Sequence, residues 1–201
     1  MVVFLLTIAA AVITVGVLVF LVIYVLVRGI PYLTPQLFAF TYTSDNVSMM
    51  PSIINTLLMT ALTLLVAVPL GVFAAIYLVE YAKNGSRLIA IVRVMAETLT
   101  GIPSIVYGLF GMLFLVGYCK WAYSLLSGAM PLAIMVLPVI MRTTEEALMA
   151  VPKSFREGSF GLGAGKLRTV FVIVLPSAVP GILSGIILAT GRIVGETAAL
   201  I

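Results

Sequence analysis

RTTEEALMAVPKSFREGSFGLGAGKLRTVFVIVLP, residues 142–176, packs eight charged side chains into 27 positions of a chain that has only 18 among its 201 residues. Apolar runs flank it on both sides, so it must meet water between two segments that do not. The composition is 63% hydrophobic and 9% charged, with a mean hydropathy of +1.28. A soluble domain of this length needs about a quarter of its residues charged to cover its surface. For most of this chain the solvent is therefore a bilayer.

A hydrocarbon core of about 30 Å takes about 20 apolar residues at ~1.5 Å each, and with no water for the backbone such a span has to be helical. Five candidate spans are read: residues 2–27, 53–79, 96–116, 129–141 and 170–191. The fourth is short and is expected to borrow from residues 121–127. The fold class expected is all-α, a polytopic transmembrane helical bundle. The first span has no basic region ahead of it and outlasts the apolar stretch of a secretory signal, so residues 1–28 read as an anchor helix. Residues 29–51 hold Pro31, Pro35, several aromatics and a single charge, Asp45, and read as an extracytoplasmic loop. Residues 52–201 form the main bundle.

With five spans, Lys83, Arg87, Arg93, Arg142, Lys153, Arg156, Lys166 and Arg168 fall on one side of the membrane. Only Arg28, Lys120 and Arg192 fall on the other. Cytoplasmic loops carry the excess of Lys and Arg, which places the N-terminus in the cytoplasm. Tyr118, Trp121 and Tyr123 around Lys120 suit an outer aromatic belt. The net charge of +4 forms no patch, so membrane lipid is the expected neighbour and nucleic acid is not. One cysteine, Cys119, excludes an internal disulfide, and the absence of histidine leaves no imidazole for a metal site or a catalytic dyad. The Asn46-Val47-Ser48 sequon is too short a pattern to carry weight.

Within the bundle, Lys83-Asn84-Gly85-Ser86 supplies a turn, and Arg93 and Glu97, four apart on a helix, are expected to pair. Gly101, Pro103, Gly108, Gly111 and Gly117 give the third span an irregular character. Two readings stay open there: close helix packing, or a bend at Gly101-Ile102-Pro103-Ser104 that lines a path.

In the opening stretch, Arg142 closes the fourth span, Thr143-Thr144-Glu145-Glu146 reads as a continuing or restarting helix, and Pro152 suits a first helical position. Residues 153–162 then form a short helix ended by Gly163 and Gly165. Phe155, Ser159 and Leu162 at spacing i, i+4, i+7 are expected on one face. About ten residues make a marginal helix in water, so it needs a partner. Gly165-Lys166 is not a nucleotide loop, because Phe160 stands where that pattern needs glycine and Leu167 where it needs Ser or Thr. ATP is not bound by this chain.

The same stretch resembles the loop of binding-protein-dependent ABC importer permeases, whose pattern is E-A-A, three residues, G, nine residues, I-x-L-P. Glu157-Gly158-Ser159, Gly163 and Ile173-Val174-Leu175-Pro176 meet the whole spacing, with Gly158 and Ser159 in place of two alanines. GIPSIVYG (101–108), LPVIMRTTEEAL (137–148), Val151-Pro152 and GRIVGET (191–197) narrow the resemblance to phosphate importer permeases of the PstA type. It covers most of residues 53–201.

The resemblance implies a type I importer architecture with a sixth span, so a chain ending at Ile201 is expected to be incomplete. It implies a cytoplasmic coupling loop, residues 142–169. Within it Phe155, Glu157, Gly158, Ser159, Leu162 and Gly163 would meet an ATPase. The implied partners are a second permease subunit, an ATP-binding cassette ATPase dimer that uses ATP and Mg, and an extracytoplasmic phosphate-binding protein. The implied location is a bacterial or archaeal inner membrane. No enzymatic activity and no cofactor of its own is expected of the chain.

Arg192 and Glu196, four apart at the outer end of the fifth span, are the candidate substrate-path residues. An arginine fork suits phosphate oxygens, and snorkelling with a structural pair to Glu196 is the competing reading. Gly181 and Gly185, then Gly191 and Gly195, form two G-x-x-x-G pairs expected to admit a facing helix. A permease for sulfate or molybdate, a secondary transporter and a membrane scaffold are the alternatives. The last two would lack the loop.

Overall fold

A computed structural model describes residues 2–43, 47–82, 86–197 and 199–200. Asp45, Asn46 of the sequon and the expected turn at Lys83–Gly85 lie outside the described residues. The chain divides into two compact units, residues 1–54 and 55–201. The first holds helix α1 (Val2–Gly29), in which no residue is buried, and two single 3₁₀ turns, Ile30–Tyr32 and Pro35–Phe38. Pro31 and Pro35 start those turns, where a fixed φ helps and no N–H is needed. Ser48 pins the second turn by donating to the Ala39 and Leu37 carbonyls.

Helix α2 (Met50–Ile76) runs on into the second unit and ends in a wider π-helical stretch, Tyr77–Tyr81. The third expected span is two helices, α3 (Arg87–Gly101) and α4 (Ser104–Phe110), the second extended by π-helical Gly111–Tyr118. They meet at a 99° bend. Pro103 can donate no hydrogen bond and holds the residue before it out of the helical region, so the chain turns there. Tyr107 braces the corner by donating to the Leu99 carbonyl at 2.6 Å. Close packing and a bend are both present in this span, since a Cβ on Gly108 or Gly111 would meet Ala199 or Pro131 at 2.9 or 2.6 Å.

Helix α5 (Leu125–Ala150) outruns the expected fourth span at both ends and takes in residues 143–146, expected as a continuing or restarting helix. It starts at a reciprocal cap between Ser124 and Ser127 and does not stop at Met141. Met141, Thr144, Glu145 and Leu148 are all buried, a spacing of i, i+3, i+4, i+7. That stripe continues the helix straight through the charges. Residues 142–150 are therefore helix, and the turn begins only at Val151, which precedes Pro152 and is extended. Interior Pro131 frees the Ser127 carbonyl, and beside it lies Gly111, whose missing side chain leaves room for the Pro131 ring.

Helix α6 (Lys153–Gly161), the one-turn α7 (Lys166–Thr169), a π-helical stretch at Val170–Val174 and α8 (Leu175–Gly195) complete the unit. Helix α5 is central and packs along α8. Two apolar clusters divide its length. One gathers Ala67, Leu132, Val136, Ile140, Ala189 and Ile193, and the other Ala75, Met141, Leu148, Val174, Ala178 and Ile182. At their junction α2 crosses α5 where Gly71 sits, since a Cβ there would lie 2.9 Å from Ile140 Cγ2 and 3.3 Å from the Met141 nitrogen.

The two glycine pairs of α8 behave differently. A Cβ on Gly181 would meet Ala147 Cβ at 2.6 Å and one on Gly185 would overlap Thr143, so this pair admits α5. Gly191 and Gly195 have nothing within 4 Å, so the second pair admits no helix among the described residues. Four helices among the described residues are long and apolar enough to cross a membrane, or five if α3 and α4 make one bent span.

Candidate functional site

The hairpin after α5 is built by local chemistry. Pro152 precedes α6 rather than opening it, with extended ψ of 138°. Gly163 ends the helix at φ +82°, a left-handed conformation that only glycine adopts without strain. Its N–H donates to Phe160 at 2.9 Å and that of Ala164 to Ser159 at 3.1 Å, the two bonds of a Schellman closure. Gly163→Ala should lower thermal stability by about 1 kcal/mol. Gly158, helical with nothing within 4 Å, should gain about 1 kcal/mol of helix propensity as alanine. Melting midpoints of the two purified variants should move in opposite directions.

Ser159 lies one turn beyond Phe155 on the same side of α6 but differs from it in exposure. It is buried, with its hydroxyl 2.8 Å from Thr169 Oγ1, because α7 folds back over it. Leu162 is the residue that caps α6 and is 91% exposed, and Phe155, Phe160 and Leu167 are exposed with it. Glu157 and Gly158 are exposed as well. The hairpin thus has a buried polar seam and four exposed apolar side chains, of which Phe155 lines a cleft with Ala147 of α5 and Gly181 of α8.

Arg156 holds the hairpin to the bundle. Its Nε and Nη2 donate to Glu80 Oε1 at 3.0 and 2.7 Å, while Nη1 and Nη2 donate to the Val151 and Leu148 carbonyls, each at 2.9 Å. Those carbonyls lie at the C-terminal end of α5, where helical partners run out. The side chains of Arg156 and Glu80 are 18% and 9% exposed. Nearby, Lys166 Nζ sits 5.1 Å from the Tyr81 ring centroid. Sequence reading passed over Glu80 and Arg156. No local signal singles out this pair, because Lys83 stands only three residues from Glu80 and satisfies the same spacing rule.

A second polar feature lies between α3 and α5. Arg93 pairs with Glu145, and Arg142 Nη2 is 3.7 Å from Glu97 Oε1, with a cleft of about 370 Å³ opening beside them. Glu146 also lines it. The expected pair within α3, Arg93 with Glu97, is replaced by two pairs across antiparallel helices. Glu145 is 8% exposed, and a buried carboxylate needs the nearest cation more than Glu97 does.

At the other end of α5, Arg192 stands in the last turn of α8 and is partly buried. Among the described residues it makes no ion pair and no side-chain hydrogen bond. Glu196 is not on its helical face, because α8 stops at Gly195 and Glu196 is extended, with ψ of 127°. Its carboxylate accepts the Ala199 N–H at 3.3 Å and lines a cleft with Asn55, Thr60 and Ile193. No group of His, Cys, Asp or Glu able to hold a metal is present among the described residues.

Residues 67–201 match the family model described as "Binding-protein-dependent transport system inner membrane component", and the chain belongs to that family. It is an integral membrane protein of the ABC permease type. It is 36% identical to the "Probable ABC transporter permease protein YqgI" of Bacillus subtilis over 196 residues, 95% of this chain and 65% of that one. It is 40% identical to the "Phosphate transport system permease protein PstA 1" of Mycobacterium tuberculosis over 147 residues, 73% of this chain and 47% of that one. With the PstA of Pasteurella multocida the identity is 38% over 87% of this chain and 62% of that one. The chain thus spans about half to two thirds of the length of these relatives. A structure of the MetNI methionine ABC transporter in an inward-facing conformation shares the fold, with a TM-score of 0.60 at 23% identity over 77% of this chain and 74% of that one.

Proposed function

We propose that the chain is a permease subunit of an ATP-driven importer of inorganic phosphate. It forms the translocation path with a second permease, receives its anion from an extracytoplasmic phosphate-binding protein, and is driven by a separate ATPase dimer that binds the ATP and Mg. The N-terminus is cytoplasmic in this reading, which puts the hairpin on the ATPase side.

The observation that carries the reading is the hairpin. It is a fold-backed, Schellman-closed helix that leaves Phe155, Phe160, Leu162 and Leu167 uncovered, the surface a partner subunit requires. Glu157, Gly158 and Gly163 complete its contact face, and Ser159 holds the hairpin shut from within. Phosphate is favoured by the relatives named PstA and by Arg192, whose five N–H donors are free of protein carboxylates among the described residues. Glu196 shapes the cleft beside the path. Gly191 and Gly195, open on this chain, suit close approach of the second permease.

The test is uptake of labelled phosphate into vesicles holding this permease, its partner permease, the ATPase and the binding protein. ATP-dependent uptake that sulfate does not compete away is the expected result. Uptake indifferent to ATP, or a preference for sulfate, sinks it.

A further inference from the structure

The Arg156 guanidinium is bonded at once to the last carbonyls of α5 and to a carboxylate at the end of α2, two helices far apart in sequence. Its own helix, α6, is closed on α7 by the Ser159–Thr169 contact, and α7 leads into α8. From these contacts we propose that Arg156 and Glu80 form a transmission clamp. Displacement of the hairpin by the ATPase is delivered through it to α2 as well as to α5. The inference rests on the coupling function proposed above and adds a residue pair and a direction to it.

Three observations support a transmitting role over simple anchorage. First, Glu80 accepts both Nε and Nη2 on one oxygen, while the same guanidinium's Nη1 and Nη2 hold α5, so neither helix end can follow α6 without the other. Second, both side chains are shielded from water, where an ion pair is stiff and weakly screened by salt. Third, the carboxylate lies on the π-helical stretch Tyr77–Tyr81, which ends α2 and also takes Lys166 over the Tyr81 ring. Such wide turns recur at functional positions in helices. Both strands of the hairpin therefore bear on this one turn: α6 through Arg156 and α7 through Lys166.

Uptake alone would not separate transmission from folding, so two readouts are needed in the assembled complex. Glu80→Gln keeps the shape and one acceptor but removes the charge. Arg156→Lys keeps a charge that cannot reach Glu80 and two carbonyls together. In both variants the complex should assemble and hydrolyse ATP within about twofold of wild type while uptake falls about tenfold or more. Amide exchange at Tyr77–Tyr81 should change between nucleotide-free and ATP-bound wild-type complex, and this change should vanish in both variants.

Normal uptake, a parallel fall of uptake and ATP hydrolysis, or an undiminished nucleotide response at Tyr77–Tyr81 would each overturn the clamp. So would failure of both variants to assemble, since the pair would then be a folding element. The exchange measurement needs no transported solute. A wild-type complex that takes up no phosphate but shows the nucleotide response at Tyr77–Tyr81 would reject the phosphate reading and keep the clamp.

Discussion

Arg192→Gln is expected to leave a complex that assembles and hydrolyses ATP but takes up phosphate about 100-fold more slowly or not at all. Charge-assisted hydrogen bonds contribute about 1.5–3 kcal/mol each, and glutamine replaces a permanently charged fork by one neutral donor group. Assembly should survive because Arg192 holds no ion pair and no side-chain hydrogen bond among the described residues, and the core residue of that turn is Ile193. Arg192→Lys should recover only part of the rate, since the charge remains and the planar fork does not. Unchanged uptake in Arg192→Gln would return this residue to an interfacial anchor.

Gly185→Val is expected to destabilise the permease by about 3 kcal/mol, at the upper end of what overpacking costs. A Cβ at this position would lie 2.7 Å from the Cβ of Thr143 and closer still to its hydroxyl. Thr143 cannot swing aside cheaply, because its hydroxyl donates back to the Val139 and Ile140 carbonyls at 2.9 and 3.2 Å. Helices α5 and α8 would have to separate, and the buried Ile182 and Ala189 on either side would lose their packing. Gly185→Ala should show a smaller loss that a second change, Thr143→Gly, largely restores. Truncating Thr143 only to alanine should restore less, since its Cβ is itself too close. Thermal unfolding of these four variants and of Thr143→Gly and Thr143→Ala alone measures this, and additive losses would refute the contact.

Much of the hairpin is legible in the letters. Pro152 and Gly163 act through their own backbone restrictions, so the short helix between them could be placed to within about two residues at either end. The turn at Pro103 is legible for the same reason, though not its 99° angle, which packing decides.

What is hidden is whatever depends on which helices become neighbours. Arg93 and Glu97 satisfy the local spacing rule for a pair, as do Arg142 and Glu145. Only the antiparallel approach of α3 and α5 shows that the partners are exchanged. Thr143-Thr144-Glu145-Glu146 reads as a continuing or a restarting helix, and it is the buried positions Met141, Thr144, Glu145 and Leu148 that decide for continuation. Both glycine pairs of α8 look equivalent as a pattern. Only Gly181 and Gly185 face α5, because a G-x-x-x-G stripe states that a close approach is possible and not who makes it. Arg192 and Glu196 were grouped by a helical spacing that ends one residue too soon, at Gly195.

The crossing at Gly71 gives α5 the geometry of an unequal-armed lever. The contact falls at Ile140 and Met141, leaving an arm of about 22 Å towards Leu125 and one of about 14 Å towards Ala150, at ~1.5 Å per residue. A single missing side chain on α2 thus fixes where along α5 the two backbones come closest, and it divides that helix unequally.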